Sequence, residues 1–193
     1  MNNKITTRTV LVLSAVIMIG TIGTTQAFAW HDWGQATWNG AANGFKCNSF
    51  TGLTTHYVTP CTAIQSAATT WNGVSGSTWY LSYTTGTAPI HHQAGESVDD
   101  DHVAETVNSH ISGKIVGSTV TYDPDYCFED SANVNSPGTC HDMQSISLHE
   151  QGHIQKVDHE WWSSSVMVAG LNVGTQQRTL FTHDIDVLEA RYP

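Results

Sequence analysis

The chain has 193 residues, with 17 Asp and Glu against seven Lys and Arg, and a formal net charge of −10. Such an excess of negative charge argues against nucleic acid or an anionic membrane as a partner. The length suits one domain with a real core.

Residues 1–29 read as a secretory signal. Lys4 and Arg8 make a basic start, and residues 10–22 form an apolar run. That run is shorter than the about 20 residues of a membrane span. Ala27-Phe28-Ala29 fits a small-x-small cleavage site, placing the mature start at Trp30. An uncleaved anchor is the alternative, disfavoured by the length and flanks of the run. Removing Lys4 and Arg8 leaves five basic residues against 17 acidic ones, a net charge of −12. Such a chain is expected to be soluble, monomeric, unbound to membranes after signal removal, and to favour cationic or neutral peptides.

Residues 30–53 are rich in Gly, Asn, Thr and Trp and read as a loop-rich arm. Residues 54–58 suggest a short strand. Pro60 starts a helix in which Ile64, Ala67, Ala68 and Trp71 share a face, and Asn72-Gly73 ends it. Residues 78–84 alternate Trp79, Leu81 and Tyr83 on one side, as a strand does. Residues 85–101 carry Gly, Pro and an acidic run and read as loop. Residues 102–107 and 114–122 are strand candidates, and residues 123–140 a long surface loop. A helix is expected from Met143 to about Gln155, with core contacts from Ile146, Leu148 and Ile154. A closing helix over 184–192 puts Ile185, Leu188 and Tyr192 on one face. Strands and helices do not strictly alternate, which favours α+β over a doubly wound fold.

The four cysteines are Cys47, Cys61, Cys127 and Cys140. An even count behind a signal suggests two disulfides in an oxidising compartment. Of three pairings, Cys47–Cys61 and Cys127–Cys140 are favoured because each closes a short local loop. Metal binding by these cysteines is disfavoured, since no C-x₂-C pair is present.

The chemistry concentrates in His149-Glu150-Gln151-Gly152-His153, followed by His159. On a helix, residues four apart lie on one face. His149 and His153 can then hold one zinc ion. Glu150 lies roughly 100° round the helix from His149, where it reaches a metal-bound water without ligating. His159 can join only if the chain leaves the helix after about Lys156 and folds back. Three neutral imidazoles leave a fourth position for water, the pattern of catalytic and not structural zinc. A bare His-Glu-x-x-His string also occurs by chance in unrelated helices. His159 and Met167, in Ser165-Val166-Met167, distinguish this one.

These residues resemble the metzincin clan of zinc endopeptidases, whose pattern is HExxHxxGxxH followed by a Met-turn. The lead-in Asp142-Met143-Gln144-Ser145-Ile146-Ser147-Leu148 is most similar to that of the matrixins. Residues 182–192 resemble their last helix and residues 62–83 their first helix and following strand. The likeness spans about residues 54–193, and its specific part is 142–167. One departure stands out: Lys156 occupies the position of the family glycine, and a lysine with positive φ costs roughly 1 kcal/mol. The resemblance implies a zincin-like single catalytic domain over 30–193, with a small mixed twisted sheet, an active-site helix and a C-terminal helix. It implies one catalytic Zn²⁺ on His149, His153 and His159, Glu150 as general base, and Met167 as a floor under the imidazoles. It also implies an S1′ wall at 169–173 and peptide or protein substrates lying along a strand edge, placed here over 116–122. No Cys-containing pro-segment of the kind that masks the zinc in many matrixins is expected between the signal and the domain.

Other groups carry weaker signals. His91-His92 and Asp99-Asp100-Asp101-His102 suggest a second Zn²⁺ or Ca²⁺, against the bland reading of a solvated acidic loop. Glu189 is a candidate distal ligand of another zinc-peptidase type, disfavoured by His159. Two functions follow: a secreted zinc endopeptidase, or a non-enzymatic secreted zinc-binding or adhesion module of the same fold. An intact Glu150 favours the first.

Overall fold

In the computed structural model, the described residues are 37–38, 42–96, 102–161 and 164–193, all within the unit spanning 31–193. The signal segment, its cleavage site at Ala29–Trp30 and Asp99, Asp100 and Asp101 lie outside them. In chain order the elements are β1 (Thr37–Trp38), β2 (Ala42–Cys47), β3 (Thr54–His56), α1 (Pro60–Asn72), β4 (Tyr80–Tyr83) and β5 (Ile90–Ala94). Then come β6 (Ala104–Ile111), β7 (Lys114–Tyr122), β8 (Cys127–Glu129), β9 (His141–Asp142), α2 (Met143–Ile154) and α3 (Thr182–Arg191). Three helices and a mixed, mostly parallel sheet fit the α+β expectation. None of the described helices is long and apolar enough to cross a membrane.

The larger sheet runs β4, β2, β5, β7, β6, parallel except for β6. β6 pairs along the whole of β7, from Ala104 opposite Tyr122 to Ile111 opposite Lys114. β5 and β1 therefore share the other edge of β7, at Ser118–Tyr122 and Lys114–Ile115. Residues 116–122 are thus an interior strand with no free edge to offer a substrate. The sheet ends on β4 at one side and on β6 at the other, each pairing with one described strand only, and of the two it is β6 that borders α2. β3, β8 and β9 form a second, three-stranded parallel sheet.

Several elements differ from the local reading. The arm at 30–53 contains β2, and the loop at 85–101 contains β5, both interior strands. Neither segment shows a β-branched, period-two pattern; their backbone bonds are completed by distant neighbours, which overrides weak intrinsic preference. The loop at 123–140 contains β8, with Phe128 and Glu129 fully buried. In β4, Leu81 is buried but Tyr83 is 43% exposed, because β4 is the outer strand. In α3 the buried face is Asp184, Val187 and Leu188, with Ile185 only partly covered.

Local chemistry explains the helices. Pro60 occupies the first turn of α1, where its missing N–H costs nothing. The Asn72 side chain then mimics a strand neighbour, donating to Leu81 O and accepting from Leu81 N, both at 2.8 Å. Asp142 caps α2 by accepting from Ser145 N at 2.9 Å. Two indoles tie α2 to its surroundings: Trp71 Nε1 donates to Leu148 O and Trp38 Nε1 to Ile154 O. Both favoured disulfides are present, Cys47–Cys61 joining β2 to α1 and Cys127–Cys140 joining β8 to the residue just before β9. Each closes a loop of a length for which chain entropy gives about 3 kcal/mol.

A buried polar chain crosses the interface of sheet and helix. Ser147 donates to Met143 O at 2.6 Å, and Tyr122 donates to Ser147 Oγ at 3.1 Å. Each hydroxyl has one proton, so His92 Nδ1, 3.1 Å from the Tyr122 oxygen, is the donor there. Burial, with His91 adding to it, lowers the His92 pKa from 6.5 to about 3. The folded state thus binds fewer protons than the unfolded one. His92 contributes stability that is full above pH 6.5 and is lost as pH falls toward 3. With chelator present, urea midpoints of wild type should fall more steeply from pH 7 to 4.5 than those of His92→Gln. Equal slopes would remove His92 from this role.

Candidate metal centre

α2 and the chain after it build the site. His149 and His153 are one turn apart, and their Nε2 atoms are 3.1 Å apart. The helix stops at Ile154, and Lys156 adopts φ 65°, the left-handed conformation. Lys156 N bonds His153 O and Val157 N bonds Gly152 O, both at 3.0 Å, so the chain reverses. His159 comes back over the helix, its Nε2 3.1 Å from that of His149 and 3.0 Å from that of His153. Arg191 holds the turn by donating to Lys156 O at 2.8 Å. Lys156 therefore makes the same reversal a glycine would, at a conformational cost of about 1 kcal/mol. Lys156→Gly should keep the site and raise the urea unfolding free energy by up to about 1 kcal/mol. A fall of that size would show that the lysine stem contributes more than its φ costs.

The three nitrogens fit a metal ion by their own chemistry. His149 Nδ1 lies 2.8 Å from Val166 O, and His153 Nδ1 lies 2.8 Å from Val157 O. A carbonyl only accepts, so both Nδ1 atoms carry the proton and both Nε2 atoms present lone pairs. Two lone pairs 3.1 Å apart repel unless a cation lies between them. Carbonyl acceptors behind ligating imidazoles are the usual orienting partners. Burial, with His153 adding to it, lowers the His149 pKa to about 4, and burial and His159 do the same for His153. Both stay neutral near pH 7, the form that ligates. Zinc–nitrogen distances of about 2.0–2.1 Å suit this spacing. Among the described residues, these three form the single group positioned to bind a metal ion.

Glu150 is 4% exposed and faces β6. Thr106 lies 2.6 Å from its Oε2. Burial pushes its carboxyl up, while His149 and then the Thr106 hydroxyl oppose that rise.

Met167 is fully buried, in a turn held by residues the sequence did not single out. Asp184 accepts from Ser165 Oγ at 2.6 Å and Val166 N at 3.1 Å, and Met167 N donates to Ser165 Oγ. A Cβ on Gly152 would stand 2.2 Å from Met167 Sδ, so the second x of the motif must be small. Glu160 N bonds Met167 O, and the Glu160 carboxylate meets His183 at 2.8 Å, anchoring the His159 segment to that turn and to α3. The sequence carried one signal for this frame, an Asp in the first turn of the closing helix.

A cavity of about 500 Å³ opens over the site, between Ala104–Asn108 of β6, α2 and the segment Val168–Leu171. The other singled-out residues are not part of the cluster. His91 and His92 are neighbours on β5 and point to opposite faces. Both His91 nitrogens are used, near Asn48 Nδ2 and Ala88 O. The pair does not converge on one ion, and Asp99, Asp100 and Asp101 of the suggested second site lie outside the described residues. Glu189 lies against Gly76 instead of the histidines. No protein-family model matches the chain, and a search of curated proteins finds no match.

Proposed function

We propose that the protein is a secreted zinc-dependent endopeptidase of the matrixin type. The observation that carries this is the convergence of three Nε2 atoms, at least two of them fixed as lone pairs, beside a buried carboxylate at the floor of an open cleft. His149, His153 and His159 would hold the zinc. Zinc held there would lower the pKa of a water to about 7 and polarise a scissile carbonyl. Glu150 would be the group that takes a proton from the attacking water and gives it to the departing amine. Met167 supports the imidazoles from below. The substrate backbone adds as a strand to the free edge of β6, correcting the placement along 116–122, and the segment 168–171 walls the pocket for the side chain after the scissile bond. Two disulfides fit the oxidising destination of an exported chain.

Cleavage of quenched casein or a peptide library by the zinc-loaded protein tests this reading. Hydrolysis should be abolished by 1,10-phenanthroline and restored by zinc. A zinc-loaded protein that cleaves nothing in the library would leave the non-enzymatic zinc-binding module as the function.

A further inference from the structure

β6 touches α2 through alternate side chains. Thr106 and Asn108 both face the helix, while Val107 between them is half exposed, as strand alternation requires. Asn108 Nδ2 donates to His153 O at 2.8 Å. That bond alone would serve to seat the strand on the helix. The Thr106 hydroxyl goes further: it lies 3.1 Å from Glu150 O and 2.6 Å from Glu150 Oε2. A hydroxyl has one proton to donate, and the shorter contact, to a carboxylate, is the charge-assisted and stronger one.

We infer that Thr106 is a positioning residue for Glu150, its hydroxyl clamping Oε2 so that Oε1 alone is left to exchange protons in the cleft. The inference rests on the reading of Glu150 as general base. Glutamate has three side-chain torsions, and an untethered carboxylate would sample orientations that do not face the reacting water. Threonine suits the role because its β-branched side chain has a restricted χ1 on a strand. The strand that carries it is also the free edge proposed to receive substrate. One element therefore sets the position of the peptide and of the base that acts on it.

Thr106→Val removes the donor and keeps the shape, and Thr106→Ser keeps the donor. In crystals of the zinc-free proteins, the Glu150 carboxylate should hold a single orientation in wild type and Thr106→Ser, and should rotate or split in Thr106→Val. In peptide hydrolysis, Thr106→Val should lower kcat about tenfold with KM and zinc content unchanged, the loss expected for one charge-assisted hydrogen bond. Thr106→Ser should restore most of it. An unchanged Glu150 orientation in Thr106→Val overturns the inference. So does a kcat within about twofold of wild type, or a loss in Thr106→Ser as large as in Thr106→Val. Should wild type cleave no peptide, the endopeptidase reading fails, and the orientation of the carboxylate alone decides the role of Thr106.

Discussion

Glu150→Gln should lower peptide hydrolysis by roughly 10²–10⁴ while zinc stays near one ion per chain. Glutamine is close to isosteric and can still accept from Thr106, but it cannot take a proton from water. The three imidazoles and the carbonyls behind two of them are untouched, so metal affinity has no reason to change. His159→Ala is the complementary variant. It leaves two imidazoles and should lower zinc affinity itself. Metal analysis and a peptide assay on both variants separate the roles. A Glu150→Gln protein that loses its zinc would make Glu150 a ligand. One that cleaves at the wild-type rate would remove it from the reaction.

Arg178→Met should cost about 3 kcal/mol of stability, the loss expected when one partner of a buried ion pair is removed. Asp142 is fully buried at the N-terminus of α2. Arg178 Nε donates to its Oδ1 at 2.9 Å, and Nη2 meets its Oδ2 and also Asp130 Oδ1 at 2.6 Å. Burial pushes the Asp142 carboxyl up. The Arg178 guanidinium, followed by the Ser145 hydroxyl and amide, outweighs that and holds it below the usual carboxylate value. Methionine fills much of the same space without charge and strands the anion. In a domain of this size the melting temperature should drop by about 6–12 °C. Adding Asp142→Asn should recover part of the loss, because the cap to Ser145 N survives without the stranded charge. A loss below about 1 kcal/mol in Arg178→Met, by urea unfolding, would mean that the amide and hydroxyl donors suffice for Asp142.

The two helices that frame the site were legible in the sequence to within a residue or two. Pro60 and Asn72-Gly73 bound α1, and Asp142 and Lys156 bound α2, because caps and turns are decided by neighbours a few positions apart. The histidine cluster was legible for the same reason. His149 and His153 are one turn apart, and His159 is brought back by a turn four residues long. The disulfides followed from short spacing, 14 and 13 residues. The interior of the sheet was not legible. β2 pairs with β5, which pairs with β7, and the bonds that make them strands come from partners 28 to 45 residues away. A segment such as Ile90-His91-His92-Gln93-Ala94 has no side-chain period to announce this.

The sequence by itself determined where a metal would be held and which carboxylate stands beside it, since those depend on spacing within one helix and one turn. Only the tertiary structure decided that β6 and not residues 116–122 offers the open edge, that Asp184 and Gly152 seat Met167, that Arg178 neutralises Asp142 and that Thr106 reaches Glu150. The first depends on β5 covering the other side of β7 from 28 positions away, and the others are contacts between residues 15 to 44 positions apart, set by how sheet and helices close on one another. A long-range contact of that kind leaves no local pattern in the chain from which it could be read.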